Sequence, residues 1–160
     1  METHFMSKLV PMTQAEFDMF LERLIPEYAA DNVRAGYWSE DEALEKSRQQ
    51  TMSLLSEGLQ TKDHYLYTLY DSDETVGMMW LRAEFDRPIK SGFIFDVEIK
   101  EEFRGKGYGK QAMLLIEEKA RELGIKRMGL HVFVYNDVAK NLYERIGYKV
   151  SSLNMLKDLE

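Results

Sequence analysis

A chain of 160 residues, 44% apolar and 31% charged, with a formal net charge of −7, has the composition of one globular domain spanning 1–160. It contains no cysteine, which excludes disulfide scaffolds, thiolate metal sites and cysteine nucleophiles, and no metal is expected. The acidic balance argues against a nucleic-acid partner. With no apolar run of spanning length and no charged-then-apolar leader, no membrane association and a cytoplasmic location are expected.

In chain order, "FMSKLVPM" (Phe5–Met12) reads as a first strand. Thr13 with Glu16 forms a capping box for a helix that Pro26 should end or kink. After the loop "NVRAGYW" (Asn32–Trp38), Ser39 with Glu42 caps a second helix. Its apolar face is expected at Ala43, Leu44, Ser47, Met52 and Leu55. From Thr13 to Gly58 ten acids face four bases, a net of about −6. This reads either as solvated helix faces or as a surface that draws a cationic ligand.

"HYLYTLYD", "TVGMMWLRAE" and "GFIFDVEIK" then read as three consecutive strands of an antiparallel meander. A helix follows from about Gly107 to Leu123, with Gly124 at its left-handed terminus. "RMGLHVFVY" reads as another strand and "NDVAKNLYERIG" as a short helix with core positions Ala139, Leu142, Tyr143 and Ile146. "YKVSSLNMLKDL" is expected to supply one or two closing strands. The order β-α-α-β-β-β-α-β-α-β is that of a mixed α+β domain.

The chemistry concentrates in "RGKGYGK", where Arg104, Lys106 and Lys110 alternate with Gly105, Gly107 and Gly109 around Tyr108. It is not a Walker A loop, because Lys110 is followed by Gln111 and Arg104 stands where the first glycine belongs. Nor is it a Rossmann fingerprint, because the spacing is Gly-x-Gly-x-Gly after a meander. What remains is a strand–loop–helix junction whose first-turn N–H groups suit an anion, and two adjacent phosphates better than one carboxylate.

Arg104-x-x-Gly107-x-Gly109, opening an amphipathic helix after a strand, resembles the acetyl-CoA pyrophosphate loop of the GCN5-related N-acetyltransferase (GNAT) superfamily. Asn136, Ala139, Leu142-Tyr143 and Gly147-Tyr148 resemble a second pattern of that family, with Tyr148 for the usual phenylalanine. The resemblance implies a central mixed, mostly antiparallel sheet, strands four and five splayed, and about four flanking helices. It implies acetyl-CoA as cosubstrate, with pantetheine along Val97, Glu98 and Ile99, diphosphate on Arg104 through Lys110, and further contacts at Asn136 and Asn141. Asn136 reads equally as a plain helix cap.

The resemblance also makes Tyr143 the donor to the leaving thiolate, though a buried core tyrosine fits the same position. A primary aliphatic amine, with a pKa near 10.4 for a lysine-like group, needs a general base. Glu98 on the fourth strand and His131 on the fifth are the candidates. Tyr37 and Trp38 are candidates for the acceptor wall, in a loop that covers the acceptor site in this family. The expected reaction is direct acetyl transfer to a primary amine of a small molecule or peptide, a cationic one if the acidic segment steers it. The alternative is a non-catalytic acyl-CoA-binding sensor, and a homodimer is the one protein assembly allowed for.

Overall fold

A computed structural model describes residues 6–160, so Phe5 of the first expected strand lies outside the described residues. The elements are β1 (Ser7–Pro11), α1 (Gln14–Arg34), α2 (Glu40–Leu54), β2 (His64–Asp71), β3 (Glu74–Glu84), β4 (Ser91–Ile99), α3 (Tyr108–Glu122), β5 (Arg127–Leu130) and α4 (Asp137–Arg145). Single 3₁₀ turns lie at Gly58–Gln60 and Glu101–Phe103. The strands form one sheet in sequence order, antiparallel from β1 to β4 and parallel between β4 and β5. This is the expected α+β architecture with four helices.

Both faces of the sheet are covered, which is why "VGMMWL" on β3 is apolar without alternation. Met79 and Leu81 pack with Ile94 against Ala112, Met113 and Ile116 of α3. Met78 and Trp80 face Phe17, Phe20 and Leu24 of α1 on the other side. Both capping boxes form, at Thr13–Glu16 and Ser39–Glu42.

Three expectations are corrected. Pro26 does not end α1, which runs from Gln14 to Arg34 with the proline inside it. The proline and Glu22, whose carbonyl loses its partner, are both exposed, so water can satisfy that group. The buried stripe of Phe20, Leu24, Ile25 and Ala29 continues across the site and holds the helix together. On α2 the buried face is Ala43, Ser47 and Thr51, with Leu55 just beyond, whereas Leu44 and Met52 are exposed. Small residues four apart let α2 lie close to α1, where Ser47 Oγ donates to Ile25 O at 2.7 Å.

The third correction concerns the end of the sheet. β5 stops at Leu130, leaving His131 beyond the strand, and 148–160 contains no strand. The cause lies in β4. Trp80 pairs with Asp96 and Leu81 with Ile94, so Phe95 is an extra, bulged residue. β4 bends there, and its pairing with β5 ends at Ile94–Leu130 while its other edge stays on β3 up to Ile99. Beyond Leu130 the fifth strand has no ladder partner, and no neighbour is left for a closing strand. The same divergence opens the splayed cleft.

Candidate active site

The cleft between the ends of β4 and β5 is bounded by three features. Its floor is the edge of β4 past the bulge, Phe95 to Ile99, which β5 no longer covers. The bulge is fixed from behind: Phe95 stacks on Trp80 (4.5 Å between centroids), and Trp80 Nε1–H donates to His64 Nδ1 at 2.9 Å. Burial holds the His64 pKa below its usual value, in keeping with a neutral acceptor nitrogen.

One end is the glycine loop. Gly105 and Gly107 hold left-handed φ values of 74° and 93°, and a side chain at Gly105 would meet nothing within 4 Å. Gly107 is the N-cap of α3 and offers no side-chain oxygen to its first turn. The first intrahelical bond is Gln111 N–H to Gly107 O (3.2 Å), so the preceding amides have no carbonyl within the helix. A bare left-handed loop running into a helix N-terminus fits a diphosphate. The side chains there point elsewhere. Arg104 donates to Glu98 Oε1 (2.5 Å) and Ile99 O (2.9 Å), Lys106 lies over the Phe103 ring, and the Tyr108 hydroxyl bonds Asp71. The loop therefore presents mostly backbone.

The other end is α4, whose Tyr143 packs against the core beneath α3. Burial first, and the charge of Asp96 second, push its pKa up to about 12, so it stays protonated through the neutral range. No hydrogen bond of its hydroxyl is found among the described residues, which leaves an O–H available in the cleft. Asn136 is the N-cap of α4, accepting from Ala139 N–H, and Asn141 is exposed on that helix.

A cavity of about 480 Å³ adjoins Tyr143, with His131, Phe133, Tyr135, Tyr37 and Arg34 in its lining. Phe133 stacks on Tyr135 (5.4 Å, 10°), whose other neighbour is the Arg34 guanidinium, 3.7 Å from the ring centre. The structure thus brings Tyr37 and His131 to one cavity with Tyr143. Trp38 goes elsewhere, packing edge-on against Tyr28 at 5.5 Å.

Glu98 is set between two arginines, Arg104 at 2.5 Å and Arg23 at 3.7 Å. Arg23 also holds Asp96 at 2.5 Å. Neither Asp96, which shares a strand face with Glu98, nor Arg23 stands out as a site residue from the sequence. The signal available was the Asp-x-Glu pair on one strand, but a partner 73 residues away on α1 leaves no local trace. Among the described residues no group of three or more metal-ligating side chains is placed to hold a metal ion. No helix among them is long and apolar enough to cross a membrane.

A sequence profile described as "Acetyltransferase (GNAT) family" matches residues 22–148. The chain belongs to the GNAT family. The uncharacterized N-acetyltransferases YycN and YdgE of Bacillus subtilis (strain 168) are each 38% identical over 152 residues, covering 94% of this chain and 97% of theirs. A crystal structure of YycN superposes with a TM-score of 0.93 at 37% identity, over 96% of this chain and 99% of that one. This GNAT chain thus has relatives named N-acetyltransferases along nearly its whole length, and that kinship supports an acetyltransferase activity.

Proposed function

We propose that this GNAT chain is an acetyl-CoA-dependent N-acetyltransferase that moves the acetyl group directly to a primary amine. The observation that supports it most is the juxtaposition of a glycine loop presenting mostly backbone, an uncovered strand edge and a largely buried tyrosine with an available O–H. Bound acetyl-CoA would supply the thioester carbon and a thiol leaving group. The loop from Arg104 to Lys110 would hold the diphosphate through backbone N–H groups. Val97, Glu98 and Ile99 would offer the β4 edge to the pantetheine amides, as in strand addition. Asn136 and Asn141 flank the cofactor side of α4.

Tyr143 would donate a hydrogen bond to the departing sulfur. The conjugate thiol has a pKa around 8–9 by analogy with cysteine, below that of the phenol, so full transfer is uphill and the hydroxyl would help chiefly as a hydrogen-bond donor to the developing thiolate. Acid assistance of this kind contributes about 10²–10⁴ in rate. Tyr37 and the aromatic cavity would receive the body of the acceptor. The acidic α1–α2 segment favours a cationic amine at long range. At contact range the cavity lining favours an acceptor that also carries a carboxylate, because Arg34, Lys140 and Lys149 there face one acid, Glu144.

Calorimetric titration with acetyl-CoA tests the cofactor half of the reading. The wild-type chain should bind it, and a folded Gly107→Val chain should bind at least tenfold more weakly, because a β-branched residue is badly strained at a φ of 93°. Equal affinity in the two would place the diphosphate elsewhere.

A further inference from the structure

The cavity beside Tyr143 holds more positive than negative charge, and the pairing inside it shows where the excess sits. With His131 counted neutral, its charged lining residues are Arg34, Lys140, Glu144 and Lys149. Lys140 and Glu144 bind each other at 3.1 Å, one turn apart on α4. Neither Arg34 nor Lys149 has a carboxylate within ion-pair distance among the described residues. Two uncompensated cations therefore line one cavity of about 480 Å³.

Arg34 is also held in place without using its donors. It is the last residue of α1, and its guanidinium carbon lies 3.7 Å from the centre of the Tyr135 ring. That ring is fixed in turn: Phe133 stacks on it at 5.4 Å and 10°, and its hydroxyl donates to Asp31 Oδ1 at 2.9 Å. A guanidinium stacked on an aromatic face keeps its N–H groups in its own plane, pointing away from the ring. No hydrogen bond or ion pair of the Arg34 side chain is found among the described residues. Asp31, three residues back on α1, is the nearest competitor in sequence, but it is engaged by Tyr135 instead.

We propose that Arg34, stacked on Tyr135, is a carboxylate clamp for the acceptor, and that the acceptor is an amino acid or short peptide. Its carboxylate docks on this guanidinium while its amine is presented to the thioester beside Tyr143. The inference rests on the acetyltransferase reading above and gives it a substrate class and a specificity-determining residue. A planar guanidinium fork matches the two oxygens of one carboxylate in a bidentate pair. Lys149 adds a second cation to the same lining, and Tyr37 and Phe133 offer apolar faces to the body between the two charged ends. The acidic segment from Thr13 to Gly58 narrows the class further. Its net of about −6 repels a dianion at long range but not a zwitterion, which favours a carboxylate over a phosphate monoester as the bound anion.

The test compares acceptors that differ only in the anionic group. L-leucine, L-phenylalanine and glycyl-L-phenylalanine are each run against their C-terminal amides, with the aminophosphonic acid analogue of leucine and spermidine beside them. Thiol release from acetyl-CoA gives kcat and KM for each. The α-amine of an amino acid amide is less basic than that of the acid and is neutral more often at pH 7. A preference for the acid therefore cannot arise from amine ionisation. The wild-type chain should favour the acids by about tenfold or more in kcat/KM, mostly through KM. In Arg34→Met, which keeps the stem over Tyr135 and drops the fork, the acid-to-amide ratio should fall close to one. Arg34→Lys should restore only part of it, because the charge returns without the fork. Calorimetric acetyl-CoA binding reports that each variant is folded, and the wild-type ratio stands as a test even where a variant is not. A folded Arg34→Met chain with the wild-type ratio, or a wild-type chain that uses acids and amides equally, overturns the clamp and leaves the acetyltransferase reading standing. Faster turnover of the phosphonate than of leucine overturns the carboxylate assignment. Thiol release with spermidine alone overturns the clamp, and release with none of these amines overturns both readings.

Discussion

Tyr143 carries two roles that can be separated by one oxygen atom. Its ring packs in the core shared with α3, while its hydroxyl makes no bond among the described residues. Tyr143→Phe should therefore keep stability and acetyl-CoA affinity but lower kcat about 10²-fold. A variant with unchanged kcat would make the tyrosine a packing residue only. The pH dependence has a definite sign. With its pKa near 12 in place of an ordinary 10, the phenol contributes stability that is present below pH 10 and lost as pH rises through 12. Activity that depends on the same proton should persist to alkaline pH rather than fail near 10. Tyr143 was legible in the sequence because its motif is local: Asn136, Ala139 and Leu142 lie on the same short helix. Asp96 and Arg23 were not legible, because their meeting depends on the packing of α1 against β4 and on a bulge that no turn residue announces.

At the scale of elements, α1 shows how packing overrides a local rule. Pro26 costs the helix one hydrogen bond, yet α1 continues through it with buried residues on both sides. Pro26→Ala should then restore a bond on the solvent side and stabilise the fold by about 1–3 kcal/mol in denaturant titrations. If α1 were two helices meeting at that residue, the substitution would give no gain. The same contrast explains what was legible elsewhere. The capping boxes at Thr13 and Ser39, and the glycine loop before α3, are spelled out within a few residues and form as read. The length of β5 is decided by a partner strand. Its β-rich sequence runs on to Tyr135, but β4 has already turned away at Phe95, so residues 131–135 line a cavity instead of a ladder. Likewise the α2 face was misjudged because Leu44 and Met52 are large, whereas close helix contact selected Ala43, Ser47 and Thr51.

Across the whole molecule, charge is unevenly distributed. The segment from Thr13 to Gly58 carries about −6, although several of its acids are tied up: Glu27 with Arg23, Glu42 with Lys46 and Glu45 with Arg48. The cavity lining beside Tyr143 is basic. Exposed charges act over a Debye length of about 10 Å at 0.1 M salt, so on the proposed reading the acidic segment would act on encounter and the cavity cations on fit. For a cationic acceptor such as spermidine, kcat/KM should fall as ionic strength rises. A rise with salt would mean that the acidic helices are solvated faces and that the cavity's cations select an acceptor bearing a carboxylate. The central claim, that the chain transfers acetyl from acetyl-CoA to a primary amine, is tested most directly by incubating it with acetyl-CoA and a panel of polyamines, aminoglycosides, amino acids and peptide α-amines. Free thiol and acetylated amine are measured together, the latter by mass. The account predicts equal amounts of both for at least one amine, with both signals strongly reduced in Tyr143→Phe. Tight acetyl-CoA binding with no thiol release across the panel would contradict it and make the chain an acyl-CoA-binding sensor on the same fold.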